Sequence, residues 1–342
     1  MFKSYSKVEV CGSADDIINL CVIMDPILNP SSDRLTLFPI KHVGLWDMYQ
    51  KAKASYWVPE EIDLSHDLKD WDKLSGDEQH FLKTVLGFFA NSDSIIVENL
   101  AARFLGEVQI PEARAFYAFQ IAIEQIHAET YSQLIDTYVR DPVEKESLFK
   151  ASQTIPCIKT KTDWALKWTE SSQPFAVRLA AFACVEGIHF SASFAAIFWI
   201  RKRGMMPGLC TSNTLVARDE GLHADFACLL YKQLQEPLSK ETVHALVAEA
   251  VDTEIRFVQD ALPVAVIGMN ADAMQQYVRY VADCLLQAMG HPKMYDVLCP
   301  FDFMEQIAMQ AKENFFETRV TTYQKAGVAT HSTFDFDTDA DF

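Results

Sequence analysis

A chain of 342 residues can form one large domain or two average ones, and 49% hydrophobic with 23% charged residues is an ordinary globular mixture. The formal net charge of −17 argues against nucleic acid or an anionic membrane as a partner, since both call for basic patches. Eight cysteines (Cys11, Cys21, Cys157, Cys184, Cys210, Cys228, Cys284, Cys299) are scattered without a C-x-x-C pair, which gives no zinc or disulfide pattern and fits a reducing, cytoplasmic compartment.

The periodicity is helical almost throughout, and β-branched alternation between turn residues is absent beyond a few positions. Ser75-Gly-Asp-Glu78 reads as a capping box opening a helix that runs to about Leu105. GEVQIP interrupts, and Pro111 suits the first turn of a second helix, PEARAFYAFQIAIEQIHAETYSQLIDTYV. A shorter amphipathic segment and TDWALKW follow. From about Pro174 comes the most apolar stretch of the chain, in which residues 179–200 read LAAFACVEGIHFSASFAAIFWI. With Arg201-Lys202-Arg203 behind it, this run has the length and flank of a membrane span. No second such run and no secretory signal accompany it, so it is expected to be the central helix of a bundle. RGMMPG breaks the pattern before a helix through TLVARDEGLHADFACLLYKQL. Further helices are expected at about 238–260, 271–288 and 302–320. The closing residues turn polar and acidic and read as a disordered tail.

The apolar run contains one carboxylate, Glu186, and a buried carboxylate needs a cation. Glu124-Gln-Ile-His127 and Glu220-Gly-Leu-His223 are both E-x-x-H, a spacing that puts carboxylate and imidazole on one helical face. One match is weak, but two on separate apolar helices, with a single carboxylate on each of two others, is the arrangement of ferritin-like dinuclear carboxylate proteins. Glu186 is one single carboxylate and Asp93 the natural second. Residues at equal depth in an antiparallel hairpin lie equally far from its turn. Asp93 and Glu124 centre on GEVQIP, while Glu186 and Glu220 centre on RKRGMMPG. Both midpoints fall on breaks, and the stretch from His127 to Glu186 supplies one long crossover. The expected fold is therefore all-α, a ferritin-like bundle with additional helices.

These motifs resemble the radical-generating small subunit of class I ribonucleotide reductase, nearest the eukaryotic type. The resemblance runs from FPIKHVGLWDMYQKAKASYWVPEEIDLS through ANSDSIIVENL, IEQIHAETY, VEGIHF, ARDEGLH and NFFETRV to the terminal DADF. It implies an N-terminal extension (1–34), a dinuclear helical domain (35–320) and a C-terminal docking tail (321–342). It implies two iron ions bound by Asp93, Glu124, His127, Glu186, Glu220 and His223, with O2 as oxidant; manganese–iron or dimanganese centres suit the same ligands. Tyr131, one turn beyond His127, matches the family's radical tyrosine, and Phe190, Phe194 and Val216 match its apolar pocket. Trp57, Asp219 and Tyr323 match the electron relay, with Asp219 linking the tryptophan to His127. Phe334, Phe336 and Phe342 would anchor the tail on the large catalytic subunit, and the chain would form a homodimer. Two rival readings stand beside it: a desaturase or hydroxylase, which shares the twin E-x-x-H, and an iron-storage bundle, for which about half this length would suffice and which leaves Asp93 with Tyr131 unexplained. One departure stands out, because Glu186-Gly-Ile-His189 makes a third E-x-x-H. His189 is expected to be hydrogen-bonded at a helix interface rather than a ligand.

Overall fold

The computed structural model describes residues 25–30, 36–169, 172–261 and 271–304, and among them every regular element is helical. Most of the N-terminal extension, the helix expected beyond residue 304 and the tail with Tyr323, Phe334, Phe336 and Phe342 lie outside the described residues.

Helices α1 (Val43–Ala54) and α2 (Asp67–Trp71) precede the first long hairpin. Helix α3 (Gly76–Asn99) opens on a reciprocal cap: Glu78 N–H donates to Ser75 Oγ at 3.2 Å, and Ser75 N–H donates to Glu78 Oε2 at 2.8 Å. Such a cap contributes about 1 kcal/mol by satisfying donors that a helix start leaves open. A π-turn at Leu100–Phe104 leads to the short α4 (Leu105–Glu107), and the chain reverses before Pro111 starts α5 (Pro111–Tyr138). Helices α3 and α5 pack against each other, with α1 laid on α5 and α11.

The crossover holds α6 (Pro142–Phe149), α7 (Ala151–Thr154) and α8 (Pro156–Thr169). Next come α9 (Phe175–Cys184), a π-turn at Val185–His189, and α10 (Ser191–Lys202). Together they form a rod of 28 residues, and 94% of its most apolar window is buried inside the protein. The rod packs on α11 (Pro207–Tyr231), α12 (Lys240–Ala261) and α13 (Ala271–Met289), while α8 lies along α9 and α12. Its apolar character is accounted for by neighbours on all sides. The run is not one regular helix, however: the π-turn adds a residue to the coil at the position of Glu186.

The second reversal, between α10 and α11, is pinned from outside. Met206 takes the left-handed conformation at φ 54°, and its N–H donates to Asp70 Oδ2 at 3.0 Å. Asp67 then accepts from the Gly208 and Leu209 amides at 2.8 and 2.7 Å and from the Tyr138 hydroxyl at 2.5 Å. A carboxylate at a helix start is favoured by the exposed amides and the dipole. A side chain at position 208 would bring its Cβ to 2.7 Å from the Asp63 carbonyl oxygen, which is why glycine stands there.

Candidate metal centre

Three helices and one π-turn aim polar side chains into the same interior space. On α5 the ladder is Gln120, Glu124, His127 and Tyr131; on α11 it is Asn213, Val216, Glu220 and His223. Spacings of three and four residues keep each set on one face. Helix α3 supplies Phe89 and Asp93, and the π-turn supplies Glu186. All of these side chains are buried, with Glu124 and His127 wholly inaccessible. The ligand atoms form two overlapping clusters, Asp93–Glu124–His127 and Glu124–Glu186–Glu220–His223, each within 4.8 Å internally. Glu124 belongs to both. All six residues expected from the spacing are thus brought together.

The donor atoms are left over for a cation. Both carboxylate oxygens of Asp93, Oε2 of Glu124, Oε2 of Glu186 and Nδ1 of His127 are buried without a hydrogen-bond partner. His127 Nδ1 faces Glu124 Oε2 at 3.3 Å and Glu220 Oε1 at 3.1 Å, while His223 Nδ1 lies 2.9 Å from Glu124 Oε1 and 3.0 Å from Glu220 Oε2. Four carboxylates packed this closely cannot all ionise without compensation. Burial, with the charge of Glu124 for Asp93 and of Glu220 for Glu186, pushes both acids well above the usual carboxylate range. For His127, burial is outweighed by the hydrogen bond to Asp219 and by Glu124 and Glu220, so its pKa is raised; for His223, burial is outweighed by Glu124 and Glu220, and the pKa rises to about 9. Protons hold the place of positive charge. A pair of divalent cations with affinity for oxygen and imidazole ligands fits this donor set.

Behind the site, Asp219 joins His127 to the ring of Trp57. Its Oδ2 accepts from Trp57 Nε1–H at 2.8 Å and lies 3.2 Å from His127 Nε2. The Trp57 and His127 rings stack at 6.0 Å, and Trp57 is fully buried. Burial would raise the Asp219 pKa, but the Arg218 guanidinium and the His127 hydrogen bond outweigh it and hold the carboxylate ionised. Arg218 itself donates to Asp219 Oδ1 at 2.9 Å and to the Ser55 carbonyl at 2.6 Å.

Tyr131 is fully buried, stacked on Phe89 at 4.5 Å with an interplanar angle of 4°. Its hydroxyl donates to Asn213 Oδ1 at 3.0 Å. Phe190 and Phe194 meet Phe89 at 5.5 and 4.9 Å, and Val216 lies one turn from Asn213 on α11. Burial, reinforced by the charges of Asp93 and Glu220, pushes the phenol pKa well up. Three residues of this site escape a search for charged motifs: Phe89, Asn213 and Gln120, whose amide donates to Glu186 Oε1 at 2.8 Å. Each lies at a helical spacing from a motif or pocket residue on its own helix, and that spacing was the available signal.

His189 belongs to neither cluster among the described residues. Its ring meets Trp164 of α8 edge-on at 4.7 Å, and its Nε2 is buried without a hydrogen-bond partner among the described residues, so the hydrogen bond expected of that nitrogen is not there. Burial and then the Lys161 charge hold its pKa well below the usual histidine range, so the ring is neutral.

Comparison with known proteins gives this geometry a family. Residues 34–300 match the sequence model described as "Ribonucleotide reductase, small chain". A ribonucleoside-diphosphate reductase small chain from Arabidopsis thaliana is 57% identical over 305 residues, 89% of this chain and 92% of that protein. The small chain from vaccinia virus strain Western Reserve is 55% identical over 319 residues, 93% of this chain and all (100%) of that protein. Among solved structures, the Rnr4 homodimer from Saccharomyces cerevisiae matches with a TM-score of 0.77 at 33% identity, over 85% of this chain and 92% of that one. Dimanganese(II)-NrdF from Streptococcus sanguinis shares the fold, with a TM-score of 0.72 at 19% identity over 81% and 98% of the two chains. Similarity of this extent favours the reductase over the desaturase and iron-storage readings, and the chain belongs to the ribonucleotide reductase small-chain family.

Proposed function

We propose that the chain is the radical-bearing small subunit of a cytoplasmic ribonucleoside-diphosphate reductase. In this reading Asp93, Glu124, His127, Glu186, Glu220 and His223 hold two iron ions, and Tyr131 stores the radical. The observation that carries it is a wholly buried phenol beside two ligand clusters that share Glu124. When bound, the metal pair supplies the redox chemistry, reducing O2 and taking one electron from a phenol. Iron is preferred on family resemblance, although the same donors suit manganese, which the Streptococcus sanguinis protein carries.

The chain's own residues supply the rest. Burial keeps the Tyr131 hydroxyl protonated, so loss of an electron also requires loss of that proton. Asn213 Oδ1 can orient the O–H, but a carboxamide oxygen is too weak a base to keep the proton. Phe89 covers one ring face, and Phe190, Phe194 and Val216 complete an apolar wall that excludes water and reductants. For export, Asp219 Oδ2 lies between the Trp57 indole N–H and His127, a hydrogen-bonded path from a metal ligand to an oxidisable ring. Tyr323 would carry the electron onward, with Phe334, Phe336 and Phe342 docking the tail on the large subunit. The homodimeric state of yeast Rnr4 supports a homodimer here.

The test is turnover. Apoprotein loaded with ferrous iron in air and mixed with a large subunit should reduce nucleoside diphosphates, whereas protein loaded and assayed without O2 should not. Equal activity of the two preparations would contradict a radical made by O2 at this centre.

A further inference from the structure

The π-turn that presents Glu186 lies against a second buried polar group, which the proposed chemistry does not use. Lys161 on α8 and Glu254 on α12 form an ion pair of 2.6 Å, with side chains only 1% and 0% exposed. The ammonium also sits over the rings of Phe88 and Phe257, at 3.5 and 3.9 Å from their centroids. Burial pulls the lysine down to about 8 and pushes Glu254 up to about 6, so both are charged near neutrality. Such a pair is a weak source of net stability, because its desolvation cost is close to its attraction. Two apolar side chains would fill the same space more simply.

What the pair touches explains its place. A π-turn shifts the helical ladder by one residue, and backbone groups at its exit need other partners. Here side chains provide them. Ser191 Oγ donates to the Ile188 carbonyl at 2.7 Å, Lys161 Nζ donates to the His189 carbonyl, and the Ala192 N–H donates to Glu254 Oε1 at 3.3 Å. Lys161 and Glu254 therefore grip the end of the turn from two different helices, one on a carbonyl and the other on an amide. One residue of a helix corresponds to a rotation of about 100°. Relaxing the turn into regular helix would swing Glu186 off the direction it shares with Glu124, Glu220 and His223.

We propose that Lys161 and Glu254 are positioning residues for the metal centre: their hydrogen bonds to the His189 carbonyl and the Ala192 amide lock the π-turn and so set the direction in which Glu186 enters the site. This rests on reading the six-residue cluster as a metal centre, and it does not depend on the role of Tyr131.

Cobalt(II) tests it, because its visible absorption reports ligand geometry without any turnover. The full-length apoprotein and its Lys161→Met/Glu254→Gln variant, which leaves no unpaired buried charge, would be titrated with cobalt(II) and their helicity compared. The folded variant should bind one of the two ions about tenfold to a hundredfold more weakly, with an altered absorption band, and keep the other. Wild-type affinity and spectrum for both ions in a folded variant would overturn the proposal. If the double variant does not fold, Glu254→Gln alone keeps an acceptor for Ala192 and leaves Lys161 on His189, so it should bind both ions with the wild-type spectrum. Loss of cobalt from that folded variant would locate the effect in charge rather than backbone anchoring, and would also overturn it. A wild-type chain that binds no cobalt pair would overturn the metal centre and this inference together.

Discussion

Tyr131 is set apart by what surrounds its hydroxyl rather than by the phenol itself. Asn213 accepts its hydrogen bond and is in turn fixed by donating to the Leu209 carbonyl at 2.9 Å. Asn213→Leu keeps much of the volume but strands a buried hydroxyl, at a cost of about 1–3 kcal/mol. It should leave metal content unchanged and lower the thermal stability of the apoprotein by that amount; unchanged stability would mean that the hydroxyl finds another acceptor. The ligands make a second prediction. Asp93, Glu186, His127 and His223 all have raised pKa values, so the metal-free site holds protons near neutrality that a cation must expel. Metal binding in weak buffer should therefore release protons, and affinity should fall as pH falls, about tenfold per pH unit for each proton displaced. Uptake without proton release would show that the site is already deprotonated. Motif residues were legible because charge in an apolar run is conspicuous. Asn213, Gln120 and Phe89 were not, since an amide or a phenylalanine at a helical spacing usually signifies only packing.

At the scale of elements, the hairpins were legible and the π-turn was not. Breaks at GEVQIP and RKRGMMPG are written in Gly and Pro, and the chain reverses at both. A one-residue insertion leaves no such trace in residues 179–200, because the run is apolar on every face and has no stripe whose phase could slip. Nor could composition show that α11 depends on a carboxylate from far upstream. Asp67 serves two amides and the Tyr138 hydroxyl, and the helix it caps carries Glu220 and His223. Asp67→Ala should lower stability by about 2–4 kcal/mol, since three buried donors lose their acceptor. Thermal unfolding of the apoprotein would measure it, and a change below about 0.5 kcal/mol would show that water replaces the carboxylate.

For the whole molecule, the proposed reading divides the labour: a helical body makes the oxidant, and the acidic tail with FDFDTDADF finds the partner. Aromatic anchors on a segment of so polar a composition give modest affinity. Deleting residues 336–342 should leave metal and radical intact while abolishing nucleotide reduction, and a peptide of that sequence should compete at roughly micromolar concentration, about −8 kcal/mol. Full turnover by the truncated chain would remove the tail from the account. The most direct test of the central claim is electron paramagnetic resonance, with iron counted in the same samples, on full-length apoprotein and its Tyr131→Phe variant after ferrous iron and O2. Two irons per chain in both proteins, and a long-lived tyrosyl signal in the wild type alone, is the predicted result. The same signal persisting in Tyr131→Phe, or two irons in the wild type with no organic radical, would contradict it.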